Sequence, residues 1–153
     1  MHQAPPPWLL EPQWFFPFFA LMWIGVSGLL AMLSGWSGLA TNFRAEGTVD
    51  GEQFRFVSGS MGNRSLPVHY GNCLFVTVNE TGFAISILFL FRVLSPPLFI
   101  PWSAVEAIEP KRFLLFSYTA IHLRDQWPTI SVRGSAGRQL EQAFRRTSGP
   151  NVP

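Results

Sequence analysis

Between Pro12 and Phe43 the chain has no Asp, Glu, Lys or Arg. Charge is scarce throughout: 13% of the 153 residues carry it, while 48% are hydrophobic and 15% aromatic. That charged share is about half of what a soluble globular chain carries. Such a composition excludes disorder and points to a membrane segment. A net charge of +2 with scattered arginines lacks the basic stripe or stacking platform that nucleic-acid binding requires. Cys73 is the only cysteine, so neither an intrachain disulfide nor a Cys-rich metal site can form. The three histidines, His2, His69 and His122, lack partners at ligand spacing such as H-x-x-x-H. No G-x-S-x-G elbow is present, and no metal or cofactor is expected. A hydrolase assembled from distant residues, with Ser58 or Ser60 beside His69 and Asp50, is the weakest alternative.

What the uncharged segment does contain is WFFPFFALMWIGVSGLLAMLSGW, residues 14–36. In a helix each residue rises about 1.5 Å, so some twenty of them match the roughly 30 Å hydrocarbon layer. A single transmembrane helix is therefore expected over 14–36, with Trp14 and Trp36 at the two headgroup levels and Pro17 in the first turn. The preceding residues 1–13 read as a tail. They hold neither Lys nor Arg, unlike the basic start of a cleaved signal peptide. All eleven Lys and Arg follow the helix. The positive-inside rule then puts the remainder in the cytoplasm, on the inner side of the cell membrane. Ser27, Ala31 and Gly35 recur every four residues, a small-residue face suited to helix–helix contact, including a homodimer.

Residues 37–51 read as a linker, with a short helical turn in SGLATNFRA at the membrane surface. Beyond it the pattern has a period of two. Phe54–Ser58 alternates as a strand does, after which Gly59, Gly62, Asn63 and Pro67 break the chain. CLFVTV (73–78) and FAISILFLF (83–91) form a hairpin across Asn79-Glu80-Thr81-Gly82, whose glycine can take a positive φ. Asn79-Glu80-Thr81 also matches the N-glycosylation acceptor pattern, read here as turn chemistry. In SPPLFIPWSAVEAIE (95–109) the prolines cannot donate to a ladder. The stretch therefore reads as a connection, a short strand 98–100, then a turn through Trp102 into a further strand ended by Pro110. Phe113 to Phe116 and Ala120 to Arg124 are further extended material, and Thr129–Arg133 is the cleanest alternation. The period changes only after Ser135, where Ala136, Leu140, Ala143 and Phe144 share one helical face. Ser135 can cap this helix and Arg145 and Arg146 suit its carboxyl end. Ten or so residues of helix are not stable alone in water, so the helix must lie across the sheet. Residues 148–153 form a tail.

Six or seven antiparallel strands, partly closed as a barrel and sealed by one C-terminal helix, resemble the pleckstrin-homology (PH)-like fold over residues 52–147. Ile100-Pro101-Trp102-Ser103, followed by Val105 and Ile108, is similar to a strand junction of bacterial PH and GRAM-like domains. YGNCLFVTVNETGF and PPLFIPWSAVEAIE together resemble a family of small bacterial membrane-anchored proteins. The resemblance implies a binding or scaffolding module rather than an enzyme.

The candidate interaction residues follow from that frame. MGNRSLPVHYGN, where a phosphoinositide-binding PH domain carries several cations, offers Arg64 and His69 alone, too few for phosphate recognition. Trp102 is either a recognition anchor or a core residue. Arg92, Lys111 and Arg112 would each contribute about 1 kcal/mol if they faced anionic lipid. His122, between Ile121 and Leu123, points to the opposite strand face, and Cys73 reads as a small buried hydrophobe. The expected function is a membrane-tethered, non-enzymatic module that binds another membrane or membrane-associated protein. The alternative is a hollow barrel for lipid or a small ligand, which the many Phe residues disfavour by filling it.

Overall fold

The computed structural model describes residues 11–63, 65–92 and 94–149. Arg64 and most of the two expected tails lie outside the described residues. One apolar helix, α1 (Pro12–Leu33), precedes a short helix, α2 (Trp36–Phe43). Seven strands follow: β1 (Glu52–Asn63), β2 (Leu66–Val78), β3 (Gly82–Ile87), β4 (Leu98–Pro101), β5 (Val105–Phe113), β6 (Phe116–Leu123) and β7 (Thr129–Arg133). The helix α3 (Gly134–Ser148) ends the fold. The strands form one antiparallel sheet in the order β4-β3-β2-β1-β7-β6-β5. Curled into a half-barrel and packed against α3, it has the expected fold class.

α1 is long and apolar enough to cross a bilayer, with mean hydropathy 2.0 over its best eighteen-residue window. It is displaced from the expected 14–36. Pro12 occupies the first helical position, where its missing N–H breaks no bond. Pro17 falls inside the helix instead of its first turn. The helix stops at Leu33 because Gly35 takes φ +75° and turns the chain.

That turn overturns two expectations at once. Trp36 is not an exposed aromatic-belt residue: it is fully buried, donates its indole N–H to the Pro96 carbonyl at 2.8 Å and meets Tyr70 edge-on. Residues 37–51 are not simply a linker either. Leu39 is fully buried beside Trp36, Phe43 packs on Trp127, and Arg44 bridges to Leu98 on the edge strand β4. α2 is therefore part of the core rather than a turn on the membrane surface.

The sheet also differs from its sequence reading in ways that have plain causes. β1 runs through Gly59 and Gly62 to Asn63, and β2 begins at Leu66 and includes Pro67. Gly59 is a site of close approach: a Cβ there would lie 2.4 Å from the Ser131 carbonyl oxygen of β7. The β2–β3 turn forms as expected, with Asn79 Oδ1 accepting from the N–H groups of Thr81 and Gly82. Gly82, however, does not take a positive φ. Its missing side chain is required because a Cβ would stand 2.3 Å from the Ile100 oxygen on β4. β3 ends at Ile87 and does not reach Phe91, which lies in a 3-10 turn, Phe89–Phe91. Pro110 does not end β5, since an edge strand has one ladder side free of hydrogen bonds. Residues 113–116 are the β5–β6 hairpin, not a separate strand.

The interior of the curl is filled. Val76, Phe83, Ile85, Ile87, Leu98, Ile100, Ile121, Ile130 and Val132 are all at most 1% exposed. Trp102 belongs to this core: it is buried, contacts Phe83 and Phe144, and donates its indole N–H to the Asn79 backbone carbonyl. α3 lays Ala136 and Leu140 against the sheet as expected, but Ser135 makes no capping bond and Arg133 is the residue before the first turn. Arg145 and Arg146 do sit in its last turn, Arg145 paired with Glu141.

Candidate functional site

Chemistry-bearing residues gather on the outer face of the sheet. β1, β7 and β6 turn their core residues inward at Val57, Met61, Ile130, Val132, Ile121 and Leu123. The alternation of a strand then puts Ser58, Ser60, Ser131, Ala120 and His122 on the opposite side. These small side chains leave a half-open groove of about 1190 Å³. One end is walled by Met32 to Gly35, where α1 stops. Another wall is Trp127 and Pro128 of the β6–β7 loop, and the far rim is Phe113 and Phe116. Lys111 and Arg133 line it, and no carboxylate does among the described residues.

Among the described residues, two buried polar atoms of this groove, the Tyr70 hydroxyl and His122 Nε2, lack hydrogen-bond partners. The Tyr70 hydroxyl is buried and reaches none among the described residues at bonding geometry. Burial pushes its pKa above the ordinary phenol value, and the Ser34 side chain beside it acts the other way. His122 places Nδ1 3.5 Å from the Thr129 hydroxyl and Nε2 3.5 Å from the Glu109 carboxylate. A Thr–His–carboxylate row is thus present, but both separations exceed the roughly 2.6–3.2 Å reach of a working general base. His69 lines the same groove, opposite Ser60 across the β1–β2 ladder, while Ser58 is engaged with Asn72 at 2.6 Å.

Glu109 is the local counter-charge. Its hydrogen bond and charge interaction with Lys111, 3.3 Å away, hold the carboxyl below its usual range, with His122 adding to the effect. Because the folded carboxyl ionises at lower pH than the unfolded one, the pairing stabilises the fold above the ordinary carboxylate range. It is lost as pH falls through the lowered folded value. The melting-temperature difference between the wild type and Glu109→Gln should therefore be present at neutral pH and vanish in acid. A difference that persists in acid would show that the charge on Glu109 is not its source.

No protein-family model and no curated protein matches the chain.

The residues singled out from sequence do not converge. Lys111 and His69 reach the groove. Arg112 lies beside Lys111 on exposed β5, and Arg92 is exposed after the 3-10 turn at Phe89–Phe91. Trp102 is core. Ser27 and Ala31 are buried within the monomer, and neighbouring Gly28 faces Leu94 of the chain's own β3–β4 loop. That face of α1 is occupied by the domain itself, which leaves little of it for a second helix. Cys73 is only partly buried, and burial pushes its thiol up, away from the reactive thiolate.

Sequence reasoning missed the most exposed apolar feature of the fold. The β5–β6 hairpin carries Phe113-Leu114-Leu115-Phe116 at its tip, with Leu114 84% and Leu115 95% exposed. Arg133 sits over the Phe116 ring at 5.2 Å. The available signal was a run of four apolar residues directly after Lys111-Arg112 in a stretch short enough to be a turn. Exposed runs of that kind are avoided unless they serve a function.

Proposed function

We propose that the chain is a membrane-tethered, non-enzymatic binding module. In this reading α1 is a single-pass anchor in the cell (inner) membrane and the PH-like domain lies on the cytoplasmic side. The domain binds an extended segment of another membrane protein in the outer groove. One observation carries the choice: the exposed Phe113–Phe116 tip stands at the rim of a basic groove whose opposite wall is the end of α1. An apolar tip beside Lys111 and Arg133 suits a partner segment with apolar and acidic residues close to where it leaves the bilayer. Tethering confines the domain to the membrane plane and raises its effective concentration towards such a partner. The edge strand β5 is poorly suited to strand addition, because Glu109, Pro110, Lys111 and Arg112 interrupt it with charge and a missing donor. Side-chain docking in the groove is the better fit.

A second reading has its own support. The absence of carboxylates among the described lining residues, with Lys111, Arg133 and the Tyr70 hydroxyl present, also suits an anionic lipid headgroup. A ligand inside the barrel does not fit, since core side chains fill that space.

Photo-crosslinking from position 115 in native membranes separates these readings. A discrete protein adduct is expected, and it should disappear when the neighbouring tip residues are changed by Phe113→Asp/Leu114→Asp, both exposed, in a variant whose melting temperature is unchanged. Recovery of only uncrosslinked monomer would overturn the protein-binding reading, and a lipid adduct would replace it with the second one.

A further inference from the structure

The β3–β4 loop lies against the middle of α1, not at its end. Trp23 meets Phe91 in a tilted contact with ring centroids 5.0 Å apart and donates its indole N–H to the Leu90 carbonyl at 3.0 Å. Further down the helix, a Cβ on Gly28 would come within 2.9 Å of Leu94 Cδ1. Trp23 precedes the helix end at Leu33 by ten residues. At about 1.5 Å per residue, that places the contact roughly 15 Å above the helix end, half the hydrocarbon thickness.

We propose that the loop residues Phe89–Arg92 and Leu94 are immersed in the leaflet beside α1, as part of a short re-entrant segment. The occupant of its outer surface is lipid acyl chain. This rests on the reading of α1 as the anchor. Two independent features of the loop agree with immersion. First, apart from the exposed Arg92, the side chains it turns outward are apolar: Phe89 is 71% exposed, Leu94 62% and Leu90 51%. Second, several of its backbone groups are already paired within the protein, which is what non-helical chain at membrane depth requires. The Leu88, Phe91, Arg92 and Ser95 N–H groups donate to Cys73, Leu88, Phe89 and Arg92 carbonyls respectively. The Leu90 carbonyl accepts from Trp23, and the Pro96 and Pro97 carbonyls accept from Trp36 and Ala45. Pro96 and Pro97 have no N–H to satisfy. Arg92, the one charge in the loop, has a stem long enough to carry its guanidinium towards the headgroups. The domain is then held to its anchor by contact along the inner half of the helix, and the anchor's lipid-facing surface continues onto the loop.

The test uses full-length protein in phosphatidylcholine/phosphatidylglycerol vesicles with brominated acyl chains. In a Cys73→Ser background, an environment-sensitive fluorophore is placed singly by Phe89→Cys, Leu94→Cys, Leu21→Cys and Glu80→Cys. All four positions are exposed on the surface. Emission should be quenched at positions 89, 94 and 21 and retained at 80. Quenching at 21 with full emission at 89 and 94 would overturn the immersed loop while leaving the anchor standing. Full emission at 21 would remove the anchor, and the loop proposal with it.

Discussion

Trp36→Ala should destabilise the β domain by about 3–5 kcal/mol, the usual cost of truncating a fully buried Trp. The measurement is reversible denaturation of the full chain in detergent, followed by near-ultraviolet circular dichroism. The size of the effect follows from three losses that coincide. Trp36 is completely excluded from solvent, its ring packs on Tyr70, and its indole N–H satisfies the Pro96 carbonyl beneath the β3–β4 loop. Trp36→Phe restores most of the packing and should retain a deficit of about 1 kcal/mol for the missing hydrogen bond. Trp14 is the internal control, since it is 55% exposed on the far turn of α1. Its replacement by Ala should leave domain stability within about 0.5 kcal/mol of wild type. If Trp36 were an interfacial anchor ahead of a linker, the two substitutions would behave alike.

The second large effect concerns the centre of the sheet. Gly59→Ala should cost about 3 kcal/mol, because overfilling a packed site forces the backbone to move. The added methyl would stand 2.4 Å from the Ser131 oxygen and 3.0 Å from Leu74 Cδ1, so β1 and β7 must separate where they pair. Gly71→Ala makes the contrast, because nothing lies within 4 Å of a Cβ there and its φ is not positive. That substitution should be neutral or stabilise by about 0.5 kcal/mol through the unfolded chain. Thermal melts of the pair read both signs in one experiment. Equal behaviour would mean that Gly59 is a tolerant strand position and not the seam of the half-barrel.

These two sites also mark where sequence reading succeeds and where it stops. Alternation identified β7, and Asn79–Gly82 identified the β2–β3 turn, because a period of two and a side-chain-stabilised turn are local properties. The reading of residues 98–108 as strand, turn and strand holds for the same reason: Pro101 and the 3-10 turn Trp102–Ala104 are written in consecutive residues. α3 was legible from its change of period. Trp36 was not, since an indole following an apolar run looks the same at a headgroup and in a core. What decides it is the Pro96 carbonyl, sixty residues away. Gly59 and Pro110 read as breaks because their partners, Ser131 on β7 and the free edge of β5, are not local. The groove is legible only in halves. The sequence groups Lys111 with Arg92 and Arg112, and His69 with Arg64, whereas Thr129, Arg133 and Tyr70 join Lys111 and His69 only once β1, β7 and β6 are laid side by side. The apolar loop Phe89–Phe91 continued the period of β3 and was absorbed into it. Its turn-out comes from contact with Trp23 on α1.

The anchor reading requires lipid to bathe α1 while the sheet, α2 and α3 make one body packed against the helix. Alkaline extraction of membranes containing the full-length chain, followed by sedimentation of both fractions, tests that most directly. The protein is expected to stay with the membrane pellet and leave it only in detergent. Release into the supernatant as an intact, freely soluble monomer would contradict it.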